Sequence, residues 1–184
     1  LPILTTAQFA ALTSGQFGAF STTQIVAIQS TGLSAINAPT ISTMSAISIE
    51  SLTTSQVAAL SSLQLSALNS AQIGAFETRD LSVLTTSAIH GISSSSIQGL
   101  TTAQIVALTT AQAATLTSMQ LTGLSSAQLS AFETRDLAAL TTSAIRGISS
   151  SSIQGLTTAQ IVALSSSQEF VLNSAQIGTL TSSQ

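Results

Sequence analysis

The chain has 184 residues, with six acids, three Arg, no Lys and a formal net charge of −3; 44% of its residues are hydrophobic and only 5% are charged. So few basic residues exclude a nucleic-acid interface, which needs a positive stripe to release counterions, and argue equally against docking on an anionic membrane surface. No Cys is present for a disulfide framework or thiolate metal site, and no apolar run reaches the roughly 18 residues of a spanning helix.

From its first residues the chain repeats one eight-residue unit: large apolar, Ser/Thr, Ser/Thr, variable, Gln, large apolar, variable, small. The leading position falls at Leu4, Leu12, Phe20, Ile28, Ile36, Met44, Leu52 and every eighth residue onward to Leu180. The sixth position runs from Leu1, Phe9, Phe17 and Ile25 to Ile177, broken only by Ala113 and Glu169. The third is Ser or Thr except at Ala38 and Ala46.

Apolar positions spaced alternately by five and three cannot line one face of a straight strand, because odd spacings send side chains to opposite faces. In an unbroken helix, an eight-residue period drifts by roughly 80° per unit at about 100° per residue. The chain must therefore turn once per octad.

The residues at the turn say how. In Leu100–Leu108, Thr101 followed by Gln104 is a capping box, and Leu100 with Ile105 is the hydrophobic staple that flanks it. Both devices recur at Leu4/Thr5/Gln8/Phe9, Leu60/Ser61/Gln64/Leu65 and Leu156/Thr157/Gln160/Ile161. A helix of about six or seven residues is unstable alone, so the units must stack to bury their apolar sides. The predicted fold is all-α: a solenoid of very short capped helices, one per eight-residue repeat. Two antiparallel octads are expected per coil, with Leu/Ile/Phe inside and Ser/Thr/Gln outside. A β-solenoid with a corner in each octad is the alternative, disfavoured by the Ala and Gln content.

The unbroken register predicts one continuous domain over 1–184, of 23 octads. No signal-peptide pattern opens it, as in a mature or excised segment. The partial octads at the two ends complete one another, which fits either head-to-tail continuation between copies or excision from a longer array. Residues 29–52 are the least regular: Gly32, Thr40 and Ser48 replace the Gln, and Pro39 falls in a first helical turn, predicting a distorted unit. Phe76–Leu108 recurs almost unchanged at Phe132–Leu164, an offset of seven octads that marks a segmental duplication. In each copy two octads lack Gln and end in glycine, at Gly91, Gly99, Gly147 and Gly155. These glycines read either as helix C-caps or as points of close approach between coils.

The clustered charges are Glu77, Arg79 and Asp80, with Glu133, Arg135 and Asp136 in the second copy. Such carboxylates can bind calcium or work as acid and base, but no Asp-rich loop accompanies them. The preferred reading is structural: acids suit the helix N-terminus, and Arg can bridge to acids on an adjacent coil. His90 is the sole histidine and its duplicate position holds Arg146, so a solvated side chain is expected there. Glu169, the one charge at a core position, is expected to reach the surface through a one-residue shift that brings Phe170 into the core. No phosphate loop, no Ser-His-Asp order and no zinc spacing appears, so no catalytic, cofactor or metal residue is assigned and no enzyme is expected.

The octads at Leu60–Ala67 and Leu124–Ala131 resemble the Ser/Thr/Gln-rich arrays of large bacterial surface proteins described as adhesin-like or haem-utilisation-like. The resemblance implies an extracellular structural or adhesive role and transfers no ligand residues; one His and no Tyr give haem ligation little basis. The expected function is a self-assembling extracellular fibre or cell-surface adhesin scaffold whose partners are copies of itself, without nucleic acid or membrane insertion. Binding of ice through rows of hydroxyls is the alternative.

Overall fold

A computed structural model describes residues 4–184; residues 1–3, read above as the tail of an octad, lie outside the described residues. Among the described residues there are 22 short helices and no strand, so the fold is an all-α solenoid and not a β-solenoid. The chain divides into two compact units, Leu1–Gly99 and Leu100–Gln184.

The first unit holds α1 (Thr6–Ala10), α2 (Ser14–Gly18), α3 (Thr22–Val26), α4 (Ser30–Ala35), α5 (Ala38–Ile41) and α6 (Ala46–Glu50). It continues with α7 (Thr54–Ala58), α8 (Ser62–Ser66), α9 (Ser70–Gly74), α10 (Thr78–Leu81), α11 (Thr86–Gly91) and α12 (Ser94–Ile97). The second unit holds α13 (Thr102–Val106), α14 (Thr110–Ala113), α15 (Ser118–Thr122), α16 (Ser126–Ser130) and α17 (Thr134–Ala138). It ends with α18 (Thr142–Arg146), α19 (Ser150–Ile153), α20 (Thr158–Val162), α21 (Ser166–Phe170) and α22 (Ser174–Ile177).

Each helix starts at the third position of its octad, directly after the cap position that the repeat predicts. Thr101 takes an extended backbone, its hydroxyl accepts from the Gln104 amide at 3.2 Å, and Gln104 Oε1 accepts from the Thr101 amide at 2.7 Å. These two bonds satisfy donors that a helix start otherwise leaves unpaired. The end is equally local: the Leu108 amide closes a tight turn onto the Ile105 carbonyl at 3.2 Å. The corner consumes the leading residue, the cap and the last position, so the helices are four to six residues long rather than six or seven.

The coil holds three octads, not two. In the first unit α1, α4, α7 and α10 stack in one column, α2, α5, α8 and α11 in a second, and α3, α6, α9 and α12 in a third. The second unit repeats the arrangement with α13, α16, α19 and α22, then α14, α17 and α20, then α15, α18 and α21. An antiparallel pair would need the chain to reverse at every corner. Here no described residue has a positive φ; each corner passes from right-handed helical to extended backbone, and three such corners close a coil. Leading and sixth-position side chains fill the middle: Leu52, Val57, Leu60, Leu65, Leu68 and Ile73 are all nearly inaccessible.

The irregular octads at 29–52 keep this register. Pro39 sits in the first turn of α5, where a missing N–H costs nothing, and Asn37 caps the helix by accepting from the Thr40 amide at 2.9 Å. The expected distortion amounts to a helix shortened to four residues. Near the C-terminus no register shift occurs. Ser165 and Gln168 form an ordinary capping box on α21, Glu169 stays at the sixth position, and Phe170 is 89% exposed instead of entering the core. Glu169 is exposed because no coil among the described residues covers the sixth position of α21.

Candidate functional site

The fifth position holds the interaction that joins one coil to the next. Gln56 is buried, and while its Oε1 accepts from the Thr53 amide at 2.8 Å, its Nε2 donates to the carbonyls of Ile25 at 2.7 Å and Ile28 at 2.8 Å. Ile25 lies in the last turn of α3 in the preceding coil and Ile28 occupies the corner after it, so the Ile28 carbonyl has no intrahelical partner. A buried carbonyl left unpaired costs about 1–3 kcal/mol. Gln64 repeats the arrangement on Leu33 and Ile36, and in the second unit Gln160 reaches Leu129 and Phe132 while Gln176 reaches Ile145 and Ile148. Glutamine is therefore an inward residue, contrary to its expected place on the polar exterior. Only a primary amide can accept from its own cap and donate twice to a neighbouring coil.

Where the fifth residue is shorter, the coils come closer. Ser96 and Ser152 donate to the Leu68 and Leu124 carbonyls at 2.7 and 2.8 Å, and Ala88 and Ala144 are fully buried without a polar end. Each of these four octads ends in Gly, and a Cβ there would collide with the backbone of Ser62 at Gly91, Ser70 at Gly99, Ser118 at Gly147 and Ser126 at Gly155. With no positive φ among them, the glycines serve close approach and not left-handed capping. Gly32 solves the same problem against an aromatic ring, since its Cβ would lie 2.6 Å from the Phe9 ring.

The charged octads are a third version of the fifth position. Asp80 and Asp136 are each 1% exposed, and each carboxylate accepts from a threonine hydroxyl of the preceding coil: Thr54 at 2.7 Å and Thr110 at 2.5 Å. Arg79 and Arg135 pair within their own octads, with Glu77 and Asp80 and with Glu133 and Asp136, so the expected Arg bridge between coils is absent and threonine makes the link. Glu77 and Glu133 stand at the N-cap without a side-chain cap bond. Among the described residues no group of three His, Cys, Asp or Glu could hold a metal ion. His90 and Arg146 are exposed at the C-terminal ends of α11 and α18.

The two faces of a coil differ. In the first coil Gln8, Gln16 and Gln24 are exposed while Phe9, Phe17 and Ile25 beside them are buried. In the last coil the pattern inverts: Gln168 and Gln176 are buried, Glu169 is exposed and Ile177 is half exposed. Fifth positions thus face the preceding coil and sixth positions the following one.

A family model described as the ALTTAQ repeat matches residues 73–110 and 129–166. The chain is a repeat protein. The two matched segments are offset by seven octads and contain the two copies of the duplication, each with one charged octad and one pair of glycine-ended octads. Comparison with curated proteins finds no match. No helix among the described residues is long and apolar enough to cross a membrane.

Proposed function

We propose that the chain is a structural module of an extracellular or cell-surface fibre, an adhesin scaffold whose partners are copies of itself joined end to end. The observation that carries this reading is the complementarity of the faces presented by the first and last coils of the described residues. Gln8, Gln16 and Gln24 use Oε1 for their own caps, and their Nε2 groups find no acceptor among the described residues. The last coil offers the opposite face, with Leu172 and Leu180 half-buried and Ile177 half exposed. A second copy stacked head to tail would place amide donors over corner carbonyls, the pairing that Gln56 makes within the chain. Stacking of this kind is how repeat arrays extend, each unit bonding only to its neighbours.

The extracellular placement rests on composition. A chain without Lys and with three Arg offers few sites to proteases that cut after basic residues. Electron microscopy with light scattering on the 184-residue chain tests assembly. Rods that lengthen with concentration, and that shorten when Gln8, Gln16 and Gln24 are replaced together by Ala, are expected. Compact monodisperse particles at high concentration would overturn the proposal. Antibody labelling of intact producing cells tests the location, where labelling only after lysis refutes it.

A further inference from the structure

We propose that the second copy of the duplication carries a binding site for a carboxylate-bearing saccharide, built around Arg146. A cleft of about 410 Å³ opens between α15 and α18, lined by Ser118, Met119, Thr122, Ser143, Arg146 and Gly147. Its volume falls within the range of small-ligand sites.

Of the three arginines, Arg79 and Arg135 are each neutralised by a glutamate and an aspartate of their own octad. Arg146 makes no ion pair or side-chain hydrogen bond among the described residues, which leaves its guanidinium fork open toward the cleft. That planar fork matches a carboxylate with two parallel hydrogen bonds. Glu169 on α21, which packs against α18, forms no ion pair with it.

The other lining groups suit a polyol. The hydroxyls of Ser118 and Ser143 have no intramolecular partner and can donate. The Thr122 hydroxyl already donates toward the Ser118 carbonyl at 2.9 Å and the Gly147 carbonyl at 2.7 Å, so it presents its oxygen as an acceptor. Met119, 70% exposed at the lip, supplies an apolar contact for the C–H face of a sugar ring. Gly147 forms a floor with no side chain to fill it, a position where a Cβ would strike the Ser118 backbone. With Arg146 the one arginine in its lining, in a chain of net charge −3, the cleft disfavours a polyanion.

The first copy provides a built-in comparison. At the equivalent places stand Ser62, Leu63, Ser66, Ser87, His90 and Gly91, so the duplication has exchanged the fork for an imidazole while keeping the glycine contact. Arg146→His is therefore a substitution the fold already accommodates.

The test is titration of the full chain with sodium glucuronate, glucose and sodium acetate, followed by ligand-observed NMR. Glucuronate is expected to bind at least about tenfold more tightly than glucose or acetate, and Arg146→Gln and Arg146→His are each expected to abolish that preference. Arg146→Lys keeps the charge without the fork and is expected to weaken binding about three- to tenfold, while Arg79→Gln leaves it unchanged. Equal affinity for glucose and glucuronate overturns the proposal, as does unchanged binding by Arg146→Gln. Acetate binding as well as glucuronate reduces the cleft to a simple anion contact and overturns the saccharide assignment.

Discussion

The side-chain nitrogen of Gln56 lies 2.8 Å from the carbonyl oxygen of Ile28, a residue 28 positions earlier in the preceding coil. Through that contact, a glutamine that starts one helix also completes the corner of another. The local capping device and the long-range joint are two ends of one amide.

Replacing such a glutamine separates the two roles. Gln64→Leu removes the cap acceptor and both donors to Leu33 and Ile36, and is expected to cost about 3 kcal/mol. Gln16→Leu, at the open face, removes only the cap and is expected to cost about 1 kcal/mol. Urea denaturation of the two variants gives the comparison; equal losses would mean the inter-coil bonds contribute nothing.

Glycine at the end of the Ala88, Ser96, Ala144 and Ser152 octads is a steric requirement. Gly155→Ala drives a Cβ into the Ser126 backbone and is expected to cost about 3 kcal/mol or more. Gly15→Ala adds a methyl where nothing lies within 4 Å, and is expected to stabilise by about 0.5 kcal/mol through helix propensity. Thermal melts of both variants check the opposite signs.

The buried aspartates depend on threonine more than on arginine. Thr110→Val strips the Asp136 carboxylate of its hydroxyl donor and is expected to cost about 1–3 kcal/mol. Asp136→Asn keeps an acceptor for Thr110 but turns Oδ2, which has no hydrogen-bond partner among the described residues, into a buried unpaired donor and loses the Arg135 charge pairing, and is expected to cost about 1–3 kcal/mol in urea. Arg79→Gln breaks an exposed pair with Glu77 and removes a cation 3.8 Å from the buried Asp80 carboxylate, and is expected to cost about 1 kcal/mol.

Glu169 is the charge that end-to-end stacking would have to accommodate. Glu169→Leu restores the apolar sixth position found in nearly every other octad, and the proposed assembly predicts longer rods at a given concentration. Rod lengths unchanged by this variant, measured by electron microscopy, would show that the sixth position of α21 takes no part in the joint.

Much of the architecture was legible because its causes are local. Thr101 and Gln104 cap a helix three residues apart whatever surrounds them, and the pattern therefore located the helix starts along the chain. Glutamine's inward direction was not legible, because a polar residue in a repeating polar pattern reads as solvated until the carbonyls of Ile25 and Ile28 are brought against it. Phe170 was misread for a related reason, while Glu169 is exposed as expected but without the one-residue shift. Position within the octad suggested a conflict with the core, but among the described residues no coil lies over α21 to create it. The Arg146 cleft was equally invisible, since it joins α15 to α18 across 28 residues, and the glycine-ended octad of α18 does not say which octad lies beside it.

What the amino-acid order determined alone is the octad: a hydroxyl cap, a glutamine at the third helical position and two apolar side chains that need a partner. These rest on bonds spanning three or four residues, which the chain makes without reference to anything distant. Three octads per coil, the approach distance of successive coils and the choice among Gln, Ser, Ala and Asp at the fifth position were decided only by stacking. Each depends on which backbone carbonyl or hydroxyl lies 26 to 31 residues away, as Thr54 does for Asp80 and Leu33 for Gln64, and no local pattern encodes that distance.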